Sequence, residues 1–99
     1  MHIGCHLSSS DGFLAMGKTA LSIGADTFQF FTRNPRGGSV KPFNKADAEN
    51  LVTLLQANNF APILAHAPYT LNACAADEGL RQYALDVMKD DMFLMDHFP

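Results

Sequence analysis

Three times along this chain, a short apolar or aromatic run is followed by a longer segment with helical spacing. This alternation constrains the fold more than any other feature. The first run is His2 to His6, with Ile3 and Cys5 on one face and Gly4 on the other. After the turn Leu7 to Gly12, rich in residues that cap helices, a helix is expected from about Gly12 to Ile23. It would carry Phe13, Met16, Ala20 and Ile23 on one face and Lys18 opposite, with Gly24 as its C-terminal cap. Thr27 to Phe31 is aromatic and β-branched, which suits a second strand, and Asn44 can cap a helix over Lys45 to Gln56. Its apolar face is Ala48, Leu51, Val52 and Leu55, and Asn58-Asn59 ends it. Pro62 to Ala65 is apolar without alternation, the pattern of a strand buried on both faces. Asp77 is placed to cap a last helix that buries Leu80, Ala84, Val87, Leu94 and Met95.

Such an order implies parallel strands joined by right-handed crossovers. An open doubly wound sheet and a (β/α) barrel both satisfy it. No Gly-x-Gly-x-x-Gly or Walker loop follows the first strand, which argues against a nucleotide-binding open sheet. With 99 residues, 47% of them hydrophobic, the chain can build a core. A parallel sheet of so few strands nevertheless leaves its edges and helix layer poorly covered, and the last helical pattern stops at Asp96-His97-Phe98-Pro99 without a polar tail. The chain therefore reads as the N-terminal part of a larger single domain.

A net charge of −3 gives no global attraction to nucleic acid, so a basic surface has to be local. No signal peptide and no membrane-length apolar run occurs, and Cys5 and Cys74 lie far apart outside any Cys-x-x-Cys spacing. Reduced thiols and a cytoplasmic location follow as expectations.

In parallel strands the residues just past each C-terminal end share one rim, where chemistry is placed. His6 follows the first strand, Thr32 to Arg36 the second, and His66 to Asn72 the third. His66 is the leading metal-ligand candidate, the alternative being a strand-end histidine bonded to backbone. His6 belongs to the same rim, either orienting a ligand or serving structure. From Thr27 through Ala46 there is no acidic residue, yet Arg33, Arg36, Lys41 and Lys45 are present, a local excess of +4. Glycines beside arginines let a polyanion approach the backbone, and guanidinium forks match phosphate. Tyr69, held by Pro68, can stack on bases or wedge between them, unless it packs on its own loop.

The segments Ile3-Gly4-Cys5-His6-Leu7-Ser8, Phe28-Gln29-Phe30-Phe31-Thr32-Arg33-Asn34-Pro35-Arg36 and Ile63-Leu64-Ala65-His66-Ala67-Pro68-Tyr69-Thr70-Leu71-Asn72 together resemble the N-terminal third of endonuclease IV. That family comprises deoxyribonucleases that cut DNA at abasic sites. The resemblance implies a (β/α)8 TIM barrel, here represented by its first βα units, and a cluster of three zinc ions at the C-terminal rim. It further implies hydrolysis of the phosphodiester 5′ to an abasic site, leaving a 3′ hydroxyl and a 5′ deoxyribose phosphate. By resemblance, His66 falls on a zinc-ligand position, Asn34 and Arg36 in the loop that enters DNA, and Tyr69 on the aromatic inserted there. Arg33, in the same basic loop, joins them as an expected DNA contact, and His6 sits beside the metal site. The partner implied is double-stranded DNA containing abasic sites, with the complete protein a monomer.

The family's other ligands lie outside these residues, so the segment by itself is expected not to cleave DNA. Two other readings are a metal-dependent sugar isomerase or epimerase on a related barrel and a metal-free DNA-binding module. The arginine-bearing loop with Tyr69 speaks against the first, since a small-sugar site has little use for a basic, aromatic rim.

Overall fold

A computed structural model describes all 99 residues. Its elements follow in the order β1 (Gly4–His6), α1 (Phe13–Ser22), β2 (Thr27–Phe31), α2 (Lys45–Ala57), β3 (Leu64–His66) and α3 (Glu78–Met95). The sheet has the order β1-β2-β3 and every pairing is parallel.

Local chemistry explains where the helices begin and end. Asn44 accepts from the Asp47 amide at 3.0 Å and Asp77 from the Leu80 amide at 2.9 Å, each satisfying an orphan donor of its helix. α1 and α2 end alike. Gly24, at φ 74°, and Asn59, at φ 54°, take the left-handed conformation. The Ala25 and Phe60 amides then reach back to the carbonyls of Ala20 and Leu55, both at 3.0 Å. The start of α1 is different. None of the serines before it caps it; instead the Asp47 carboxylate of α2 accepts from the Phe13 amide at 2.7 Å and the Leu14 amide at 3.0 Å.

The central strand sets the core. Phe28 and Phe30 alternate onto the helix-covered face and are fully buried, with Met16, Ala20, Ala48, Leu51, Leu55, Ile63 and Phe98 around them. Burying each phenylalanine stabilises the fold by about 1.5–3 kcal/mol relative to exposure. α1 meets α2 closely at Gly17, where a Cβ would lie 2.5 Å from Leu51 Cδ1 and 2.7 Å from Leu54 Cδ2. Glycine there costs helix propensity and gains close packing.

Three burial expectations are corrected. β3 is not covered on both faces: Ile63 is buried, but Leu64 is 58% exposed because β3 is an edge strand with nothing packed over its open face. Ile23 and Leu80 project from the ends of their helices and are exposed, whereas Ala84 and Val87 are buried and Leu94 and Met95 pack against the core. Ile3 and Cys5 of the other edge are exposed as well. The surface totals 6363 Å², against roughly 5,500 Å² for a compact monomer of this mass, so the architecture is an open layer. No helix is long and apolar enough to cross a membrane.

The N-terminus is tied to the turn before β2. Asp26 accepts from the His2 ring at 2.8 Å and from the Ile3 amide at 2.7 Å, and the His2 bond, then the amide, hold its carboxyl below the ordinary aspartate value. A carboxyl depressed in the folded state binds its proton more readily when unfolded. This tie therefore contributes fully above about pH 4 and is lost as pH falls through the folded value. Acid titration of stability should show Asp26→Asn losing less on acidification than the unmodified chain. Parallel acid profiles would contradict it.

Candidate functional site at the C-terminal rim

Register brings the rim residues together. His6 pairs with Gln29, and Phe31 pairs with His66, so all of these lie on the open face of the sheet. Phe31 is the hub. Its ring centroid lies 4.6 Å from His6, 4.8 Å from His66 and 5.3 Å from Tyr69, the last at an interplanar angle of 79°. The two histidine rings are 6.3 Å apart.

Hydrogen bonds give the two histidines opposite tautomers. His66 Nδ1 lies 2.6 Å from the Ala67 carbonyl oxygen, which only accepts, so Nδ1 carries the proton. Its Nε2 then keeps a free lone pair, the arrangement of a metal-ligating imidazole oriented by backbone. His6 Nδ1 instead accepts from Gln29 Nε2 at 3.1 Å, which puts the proton of the neutral ring on Nε2. His6 thus offers a donor where His66 offers an acceptor. No group of three or more His, Cys, Asp or Glu side chains comes together, so these residues fit one ligand of a metal centre.

The loop after β2 is a closed unit. The Asn34 carbonyl accepts from Gly38, the Asn34 amide donates to Ser39, and the Asn34 side-chain oxygen accepts from the amides of Arg36 and Gly37. Asn34, expected from the sequence in a loop that enters DNA, therefore spends its side-chain oxygen on shaping that loop. The Arg36 side chain is exposed and has no protein partner, and Tyr69 is 63% exposed. The Tyr69 amide donates to the Pro35 carbonyl at 2.9 Å, which joins this loop to the one after β3.

Arg33 departs from the expectation. Its Nε and Nη2 donate to Asp91 Oδ1 at 3.1 and 2.8 Å, and its side chain is only 8% exposed. The guanidinium faces inward onto α3, and burial keeps its remaining Nη1 and Nη2 hydrogens from a phosphate. Asp91 is invisible to sequence reading, because nothing local relates it to a residue 58 positions earlier. Phe31 reads from sequence only as a strand residue; its place directly before the polar rim is the available signal. Lys41 donates to the Ser10 carbonyl at 2.9 Å. It lines a cleft of about 850 Å³ between the first two rim loops, which includes His6, Phe31 and Asn34 but neither His66 nor Tyr69.

A family model described as xylose isomerase-like TIM barrel matches residues 18–98, and the chain belongs to that family. Within it, the chain is 58% identical over all 99 residues to the probable endonuclease 4 of Alkaliphilus oremlandii, covering 35% of that protein. It is 54% identical over 98 residues to the probable endonuclease 4 of Akkermansia muciniphila, again covering 35% of it. The crystal structure of endonuclease IV from Thermus thermophilus superimposes with a TM-score of 0.83 at 28% identity, over 92% of this chain and 34% of that one. The endonuclease IV resemblance of the motifs thus extends along the chain, which spans about a third of the length of the curated relatives it matches.

Proposed function

We propose that the chain is the segment of an abasic-site endonuclease that carries one zinc ligand and the lesion-probing loops. The observation that carries this reading is the joining of an exposed tyrosine and an unpaired arginine loop to the rim of His66. The substrate is duplex DNA with an abasic site, cut 5′ to the lesion. Zinc held by His66 together with ligands from outside these residues would supply Lewis-acid chemistry there, activating water near neutral pH and offsetting charge on the phosphate.

The chain's own residues do the rest of what falls to this segment. His66 presents Nε2 to the metal while the Ala67 carbonyl fixes its ring. His6, with a proton on Nε2, is a donor toward a phosphate oxygen beside that site. Arg36 and Tyr69 occupy the gap left by the missing base, offsetting the few kcal/mol that extrusion of the nucleotide costs. Asn34 keeps the loop that carries Arg36 in its compact turn.

Tyr69→Ala and Arg36→Ala should each weaken binding to an abasic duplex by about tenfold, in line with ~1–3 kcal/mol per stacked base, and leave zinc content intact. Titration of labelled duplexes with the complete protein checks this, and unchanged affinity would remove the wedge assignment. The family description alone also admits a small-sugar isomerase. The basic loop that carries Arg36, joined to the loop of Tyr69, favours the DNA reading, since a small-sugar site has little use for a basic, aromatic rim.

A further inference from the structure

Resting on the abasic-DNA reading, we infer that Asp91 and Arg33 are positioning residues: α3 is a strut that sets where Arg36 and Tyr69 stand, and so how well lesion and intact duplex are told apart. The Asn34–Ser39 turn is internally closed and begins at the residue after Arg33, so it moves as one body about its root. That root is held by two donors of Arg33 on one oxygen of Asp91, with the two side chains only 8% and 15% exposed. The far end of the turn rests on the same helix. Gly38, at φ 69°, lies so close to the Tyr83 hydroxyl that a Cβ there would overlap it.

Tyr83 and Asp91 are separated by about 12 Å of helix, a baseline long enough to fix the tilt of the turn. The tilt reaches the wedge because the Pro35 carbonyl holds the Tyr69 amide. No other carboxylate pairs with Arg33. The sequence requirement is thus a cation at the root of a DNA loop that never touches DNA.

The test compares the complete protein with its Asp91→Ala and Tyr83→Ala variants, using an abasic duplex and an intact duplex of equal length over a range of salt. Asp91→Ala removes the oxygen that holds both Arg33 donors and so releases the root. Tyr83→Ala removes the support under the far end without touching the ion pair or the backbone of the turn, and as a half-exposed position it keeps the test open if the first variant fails to fold. The expected result is a loss of about tenfold in preference for the abasic duplex in both, with intact-duplex affinity and zinc content unchanged. If Arg33 instead binds phosphate directly, Asp91→Ala frees it: both duplexes bind more tightly and the salt slope steepens by about one, which overturns the inference. Unchanged preference in folded variants overturns it too. If the unmodified protein shows no preference at all, the abasic-DNA reading itself falls, and this inference with it.

Discussion

Replacing His66 with alanine in the complete protein is expected to remove about one equivalent of zinc and to slow abasic-site cleavage by at least a factor of about a hundred. The expectation rests on the tautomer. With Nδ1 committed to the Ala67 carbonyl at 2.6 Å, the ring has a single orientation and a single lone pair to offer. His6→Ala is the informative contrast, since its bond to Gln29 leaves a donor facing outward; this variant should keep its zinc and lose rate more modestly. Metal analysis together with single-turnover cleavage checks both. A His66→Ala protein with full zinc and full rate would show that the histidine is structural.

The second large effect concerns folding. Asp47→Ala should destabilise the protein by about 2–4 kcal/mol, because one carboxylate accepts two amide donors at the start of α1 and sits at the positive end of that helix. Asp47→Asn retains an oxygen for one donor and should cost about half as much. Ser10→Ala should cost little, since its side chain only contacts Ser8. Urea unfolding midpoints of the three variants decide the matter: a serine effect as large as that of Asp47 would mean the local turn starts α1 after all.

This cap marks the boundary between what residues disclose in order and what they disclose only in space. Asn44, Asp77 and Gly24 act on their own helices, and each is legible from position alone. Asp47 reads as a first-turn acid of α2, which it is, but its larger service is to a helix 33 or 34 residues earlier. The site divides in the same way. His66 and Tyr69 are placed by a strand end and a proline, so their neighbourhood can be inferred. Arg33 cannot be told from Arg36 by type or spacing; only the presence of Asp91 on α3 turns one inward and leaves the other in water. The exposure of Leu64 has a related cause, since an apolar run records what a strand is suited to meet and not whether anything meets it.

Both β1 and β3 present unpaired backbone donors and acceptors along one side, and neither Gly4-Cys5-His6 nor Leu64-Ala65-His66 carries a lysine, an arginine or a proline to repel a stranger. The protection against intermolecular pairing is brevity: at three residues each, the edges offer an incoming strand few hydrogen bonds. Lengthening either strand by a pair of apolar residues would extend the sheet and raise the hazard of pairing with a second chain.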